Sequence, residues 1–170
     1  MRKAKFGIAV LMCLVLVALV GCSLLNLGRT DLTEDEKVRI AIDVGLTSLD
    51  VGFTAGVVAV TIKPEFNPIW ISAVVPSFTA ANHVALDLIT IGEAGDTITE
   101  AMVISSLQAR AFEILSLIAV WETQIAKSRD AEPVVEPPVA PAETTYPPIP
   151  TYAQLRIKSG LLQAKIDSVK

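Results

Sequence analysis

Few side chains in this 170-residue chain have the types and spacing that do chemistry. His83 is the only histidine, and Asp87 follows one helical turn later, so the pair could share a proton or offer two donors to a metal ion. A metal site needs further ligands, and no second histidine exists to supply one, so the pair reads as a polar couple at or near the surface. Ser72, Ser77, Ser105 and Ser106 fall inside helical patterns with no nucleophile elbow around them. Gly92-x-x-Gly95 lacks the strand, third glycine and lysine of a phosphate loop and reads as a turn. Asp35 and Glu36 are adjacent carboxylates in a first helical turn, where water and the helix dipole both favour them. Trp70 and Trp121 read as core or interface anchors before they read as ligand-stacking groups. No catalytic, metal or cofactor set emerges, and the chain reads as a non-enzyme.

The elements that would position any site are aliphatic to an unusual degree. Mean hydropathy is +0.55 and 52% of residues are hydrophobic, yet only 5% are aromatic and 19% charged. Such a composition excludes a wholly disordered chain. Two cysteines and one histidine exclude a disulfide framework and a cysteine-rich metal site. Part of the apolar excess lies at the N-terminus. Arg2, Lys3 and Lys5 precede residues 8–20, an uncharged apolar run of 13 residues. That is shorter than the roughly 20 residues of a spanning helix and has the length of a signal-peptide core.

The run ends in Leu19-Val20-Gly21-Cys22, which resembles the lipobox of bacterial lipoproteins: an aliphatic residue, a tolerant position, a small residue and a cysteine. The resemblance covers about the first 23 residues. It implies that residues 1–21 are a signal peptide, that Cys22 becomes the N-terminus, and that its sulfur and amine carry acyl chains. Each buried CH2 adds about 0.8 kcal/mol, and two chains already anchor stably. Residue 23 is Ser rather than the Asp associated with inner-membrane retention, which implies an outer-membrane anchor facing the periplasm. The membrane partner is then reached through the acyl chains on Cys22. Removing Arg2, Lys3 and Lys5 takes the formal charge from −4 to −7. An acidic mature chain argues against nucleic acid and against electrostatic adhesion to anionic lipid. It would also hold no free cysteine, which excludes thiol catalysis.

After a tether over 22–32, the spacing predicts an all-α domain over 33–129, a bundle of three or four helices. Thr33-Glu34-Asp35-Glu36 is a capping box. Apolar residues at 38, 42, 46, 49, 53, 57 and 60 continue a helix over 33–62, which Lys63-Pro64 ends. Gly45, Gly52, Gly56 and Ala59 form a small-residue series on it, and Gly52-x-x-x-Gly56 would let a second helix backbone approach closely. Asp43 and Asp50 oppose reading this helix as transmembrane, so the series reads as packing inside a bundle.

Asn67-Pro68 reads as a cap followed by a first-turn proline. A broad apolar face follows from Trp70 to Ile89, interrupted by Pro76, which either kinks one helix or divides 68–74 from 77–91. Gly92 and Gly95 supply the stop and the turn. Thr97-Ile98-Thr99-Glu100 reads as a second capping box opening a helix over 97–128.

Seven of the ten prolines lie within 130–150, an extended linker. Thr151 to Gln154 offers a third capping box for an amphipathic C-terminal helix over 151–170. Its apolar residues Tyr152, Leu155, Leu162 and Ile166 are expected either to dock on the acidic domain or to contact a protein partner, whose identity is not legible.

Three functions are compatible with this organisation. The first is a lipid-anchored cell-envelope protein with a structural or protein-interaction role. The second is a membrane-associating helical envelope factor or phage-type lysis factor, motivated by the Gly-rich 44–62 and apolar 69–91 segments. The third, a small-ligand binder or enzyme, rests only on the possibility of a pocket in the bundle.

Overall fold

A computed structural model describes residues 31–62, 64, 67–127 and 148–169. The expected signal peptide over 1–21, with Leu19 to Cys22, and residues 130–147 of the proline-rich segment lie outside the described residues, and of Ala59 and Trp121 only the helical backbone lies inside them. The described residues form four helices and no strand: α1 (Glu34–Ile62), α2 (Asn67–Glu93), α3 (Glu100–Lys127) and α4 (Tyr152–Asp167). The fold is an all-α helical bundle.

The start of α1 is the expected capping box. The Glu36 amide donates to Thr33 Oγ1 at 3.3 Å, and the Thr33 amide donates to the Glu36 carboxylate at 2.8 Å. α4 opens in the same way, with Thr151 and Gln154 exchanging bonds of 2.8 and 3.2 Å. The start of α3 differs from expectation: the cap is Thr99, not Thr97. Ile98 is buried, which holds 97–99 non-helical, and the Met102 amide donates to Thr99 Oγ1 at 3.3 Å. The exposed Glu100 amide of this first turn donates to Glu34 of α1 at 3.0 Å.

Pro76 neither divides α2 nor ends it. The turn before it, Trp70–Val74, is a π turn in which the Val75 amide bonds back to the Trp70 carbonyl. The wider turn makes room for a ring that would collide with the carbonyl one α-turn earlier. Gly92 is also not the stop. It lies within α2, and the chain turns instead at Gly95, whose φ of +80° only glycine adopts at low cost.

Helices α1 and α2 run antiparallel and touch both remaining helices, while α3 and α4 flank them. Phe53 of α1 meets Trp70 and Phe78 of α2 at ring-centroid distances of 5.4 and 5.3 Å, the second pair edge-on. Around these rings close Ile42, Leu46, Val74, Ala81, Ala85 and Ile89, joined by Val103, Leu107 and Ile114 of α3 and by Leu155, Leu162 and Ile166 of α4. The expected small-residue series sits in this packing with a different role. A Cβ on Gly56 would overlap the Trp70 ring, one on Gly45 would overlap Leu107, and one on Gly52 would lie 3.6 Å from Phe78. Gly56 therefore admits an aromatic side chain, not the backbone of another helix, while a Cβ at Gly52 would make only ordinary contact.

Candidate functional site: the docked C-terminal helix

The described residues concentrate their long-range polar chemistry on α4. Its four apolar side chains do not project toward a partner. Leu155, Leu162 and Ile166 are buried in the bundle core, and Tyr152 packs half-buried at its edge. α4 is parallel to α1 and antiparallel to α2, and it lies along the groove between them.

Toward α1 the contacts repeat every seven residues. Lys158 Nζ reaches Asp43 Oδ1 at 2.5 Å and Thr47 Oγ1 at 2.6 Å. Two turns on, Lys165 Nζ reaches Asp50 Oδ1 at 2.6 Å and Thr54 Oγ1 at 2.8 Å. The Asp43 and Asp50 that argued against a spanning helix thus have lysine partners on a neighbouring helix. Toward α2, Arg156 pairs with Glu93, and that bond holds the guanidinium pKa above its ordinary value. Deeper in, Asn82 donates to the Ser159 carbonyl and to Gln163, each at 3.1 Å, and accepts from the Ser159 hydroxyl at 2.9 Å. Asn82 and Ser159 are both buried, so a displacement of α4 along α2 would leave their polar groups unpaired in a low-dielectric core.

The first turn of α4 is pinned at three points. The Tyr152 hydroxyl donates to Asp35 at 2.7 Å. Arg39 bonds Asp35 at 2.9 Å and the Pro150 carbonyl at 3.0 Å, and its guanidinium lies 5.8 Å from the Tyr152 ring centre. The ring rests on Gly92, where a Cβ would come within 2.5 Å of it. Burial, then the bond to the Asp35 carboxylate, pushes the Tyr152 hydroxyl up to about 12. At the same end of the bundle the Glu100 amide of α3, with help from Lys37, holds Glu34 below the usual carboxylate range.

The residues first considered for chemistry are not brought together. His83 and Asp87 are both exposed, and no hydrogen bond joins them. Among the described residues no three histidine, cysteine, aspartate or glutamate side chains are grouped as a metal would need. The Lys158 and Lys165 contacts and the Asn82–Ser159 pair were not anticipated. The acidic spacing Asp43–Asp50 and the basic spacing Lys158–Lys165, both of seven residues, are the signal that would have matched them.

Glu34–Val58 and Asn67–Glu93 are long and apolar enough to cross a membrane by length and composition, with mean hydropathy of 1.4 and 1.3. The core of a soluble bundle meets the same test, and 33% and 44% of those windows are buried inside the bundle. No family model, no curated protein and no solved structure matches this chain.

Proposed function

We propose that this chain is a lipid-anchored cell-envelope protein whose helical bundle serves a structural or protein-interaction role. The observation that carries the reading is Leu19-Val20-Gly21-Cys22 at the end of a basic-then-apolar N-terminal segment. What supports the second half is the use to which polar groups are put: Lys158, Lys165, Arg156, Asn82 and Tyr152 each bind a neighbouring helix. The bundle starts about ten residues after Cys22, a tether that keeps it close to the bilayer surface. Ser23 extends the proposal to an outer-membrane anchor facing the periplasm. Cells expressing the protein are fed labelled palmitate. Label incorporated by the native chain and absent from Cys22→Ala supports the anchor, and unchanged label in the variant removes it.

A second reading, insertion of the helices themselves into the membrane, is favoured by the length and hydropathy of α1 and α2. The Cys22→Ala chain lacking residues 1–21 distinguishes them. Recovery in detergent-free buffer as a folded helical protein supports lipid anchoring, and recovery only with detergent supports insertion.

A further inference from the structure

Helix α1 carries two apolar seams. The first, from Val38 to Val60, faces the core. The second is Ile40, Val44, Thr47, Val51, Thr54, Val58 and Thr61, in which spacings of four and three alternate over the whole helix. Ile40 and Val44 are half-buried and the other five are exposed, Val51 and Val58 each by 53%. All seven are β-branched and none is charged. The threonine hydroxyls donate to the carbonyls of Asp43, Asp50 and Val57, at 2.7, 2.7 and 2.8 Å, and those of Thr47 and Thr54 also accept from Lys158 and Lys165, which border the seam on the α4 side.

A solvated helix face is ordinarily filled with Ala, Glu, Lys, Gln or Arg, which favour the helix and water together. Seven β-branched residues in line each cost a few tenths of a kcal/mol in helix propensity. A departure from local preference on this scale marks a surface selected for something else. The period of 3.5 residues is the repeat by which one helix supercoils against another.

We propose that this seam is the interface of a two-fold homodimer in which α1 packs against α1 of a second copy. The proposal rests on the interaction role proposed above and names the partner. Two features fit a second copy. The flanking acids Asp43 and Asp50 are already paired with Lys158 and Lys165 of their own chain, so two identical faces meet without repulsion. The pattern is also nearly symmetric about Val51, with threonines four residues before and three after it and valines seven residues away on either side, which suits a face meeting itself across a two-fold axis. At the roughly 60–100 Å² that each aliphatic side chain removes from water, the two seams reach about 1,000 Å² in total, the size at which specific interfaces begin.

The test is sedimentation of the full-length chain in density-matched detergent, with helicity followed by circular dichroism. The native chain is expected to be dimeric, and Val51→Lys with Val58→Lys to weaken the dimer by at least roughly a hundred-fold, because it places unpaired charge at the contact. Ile157→Lys, on the exposed face of α4, is expected to leave the dimer intact. Mixing Val51→Lys with Val51→Glu chains is expected to restore association, since residue 51 faces its own copy. This arm reads out even if the double lysine variant loses helicity. A native chain that stays monomeric at about 100 µM, a dimer indifferent to position 51, or a dimer abolished by Ile157→Lys overturns the proposal. A monomer whose binding to phospholipid vesicles is lost in Val51→Lys assigns the seam to lipid and overturns it too. Palmitate labelling at Cys22 is read separately, so a failed anchor and a failed dimer are distinguishable.

Discussion

Helices α3 and α4 flank the same α1–α2 pair, yet they are held in different ways. α3 attaches through aliphatic side chains, with Leu107 seated over Gly45 and Val103 fully buried, and through a bond between its first amide and Glu34. α4 attaches through three core side chains and a set of charge and hydrogen-bond contacts on both flanks. Apolar packing is non-directional and tolerates small displacements. A charge ladder with a seven-residue repeat, backed by a buried Asn82–Ser159 pair, fixes the register of α4 but makes its attachment sensitive to pH and salt.

The largest effect that would erase the contrast comes from the cores. Ile166→Ala on α4 and Leu107→Ala on α3 should each cost about 2–4 kcal/mol by chemical denaturation, because both open cavities in the same core. A much smaller loss at Ile166 would mean that polar contacts alone hold α4.

Next in size is Asn82→Ala. It should cost about 1–3 kcal/mol, since the Ser159 hydroxyl and Gln163 lose a buried partner. Amide exchange should quicken in α4 and stay slow in α3, and equal loss from both would break the comparison.

Alkaline titration should follow. The Tyr152 hydroxyl is raised from its ordinary 10 to about 12 in the folded protein. Its contribution is therefore complete below pH 10 and is lost as pH rises toward 12, because the unfolded chain ionises first. Exchange in the first turn of α4, taken relative to the intrinsic base-catalysed rate, should accelerate over that window, and Tyr152→Phe should lessen the pH dependence.

The smallest effects belong to the ladder. Lys158→Ala and Lys165→Ala should each cost under about 1 kcal/mol, as half-exposed ion pairs do. Raising salt to about 1 M should loosen α4 in the native protein while leaving α3 unchanged.

Much of this architecture was legible in the sequence because its signals are local. The boxes at Thr33 and Thr151 and the three-four spacings of α1 and α3 need only neighbouring residues to be read. What escaped needs a partner from elsewhere in the chain. Thr97 and Thr99 are equivalent as caps until the burial of Ile98 chooses between them. Gly56 and Gly92 are small because the Trp70 and Tyr152 rings rest on them, and their immediate sequence carries no trace of either ring. Pro76 promises a break only if the preceding turn stays α, whereas the chain widens that turn. The docking of α4 was left open because half of its attachment is charge pairing with residues 115 positions away.

That separation sets an order of events in time. α1, α2 and α3 can meet one another once residue 127 has been made, but every long-range polar contact of α4 waits for residues beyond 150. Until then the α1–α2 groove is open to water, and Asp43, Asp50 and Asn82 lack their α4 partners. Closing a long connection costs only about 0.6 kcal/mol more for each doubling of its length, so the delay comes from synthesis and search, not from the length of the return. The bundle is therefore completed by its last segment, and a chain cut short before Thr151 leaves its groove exposed.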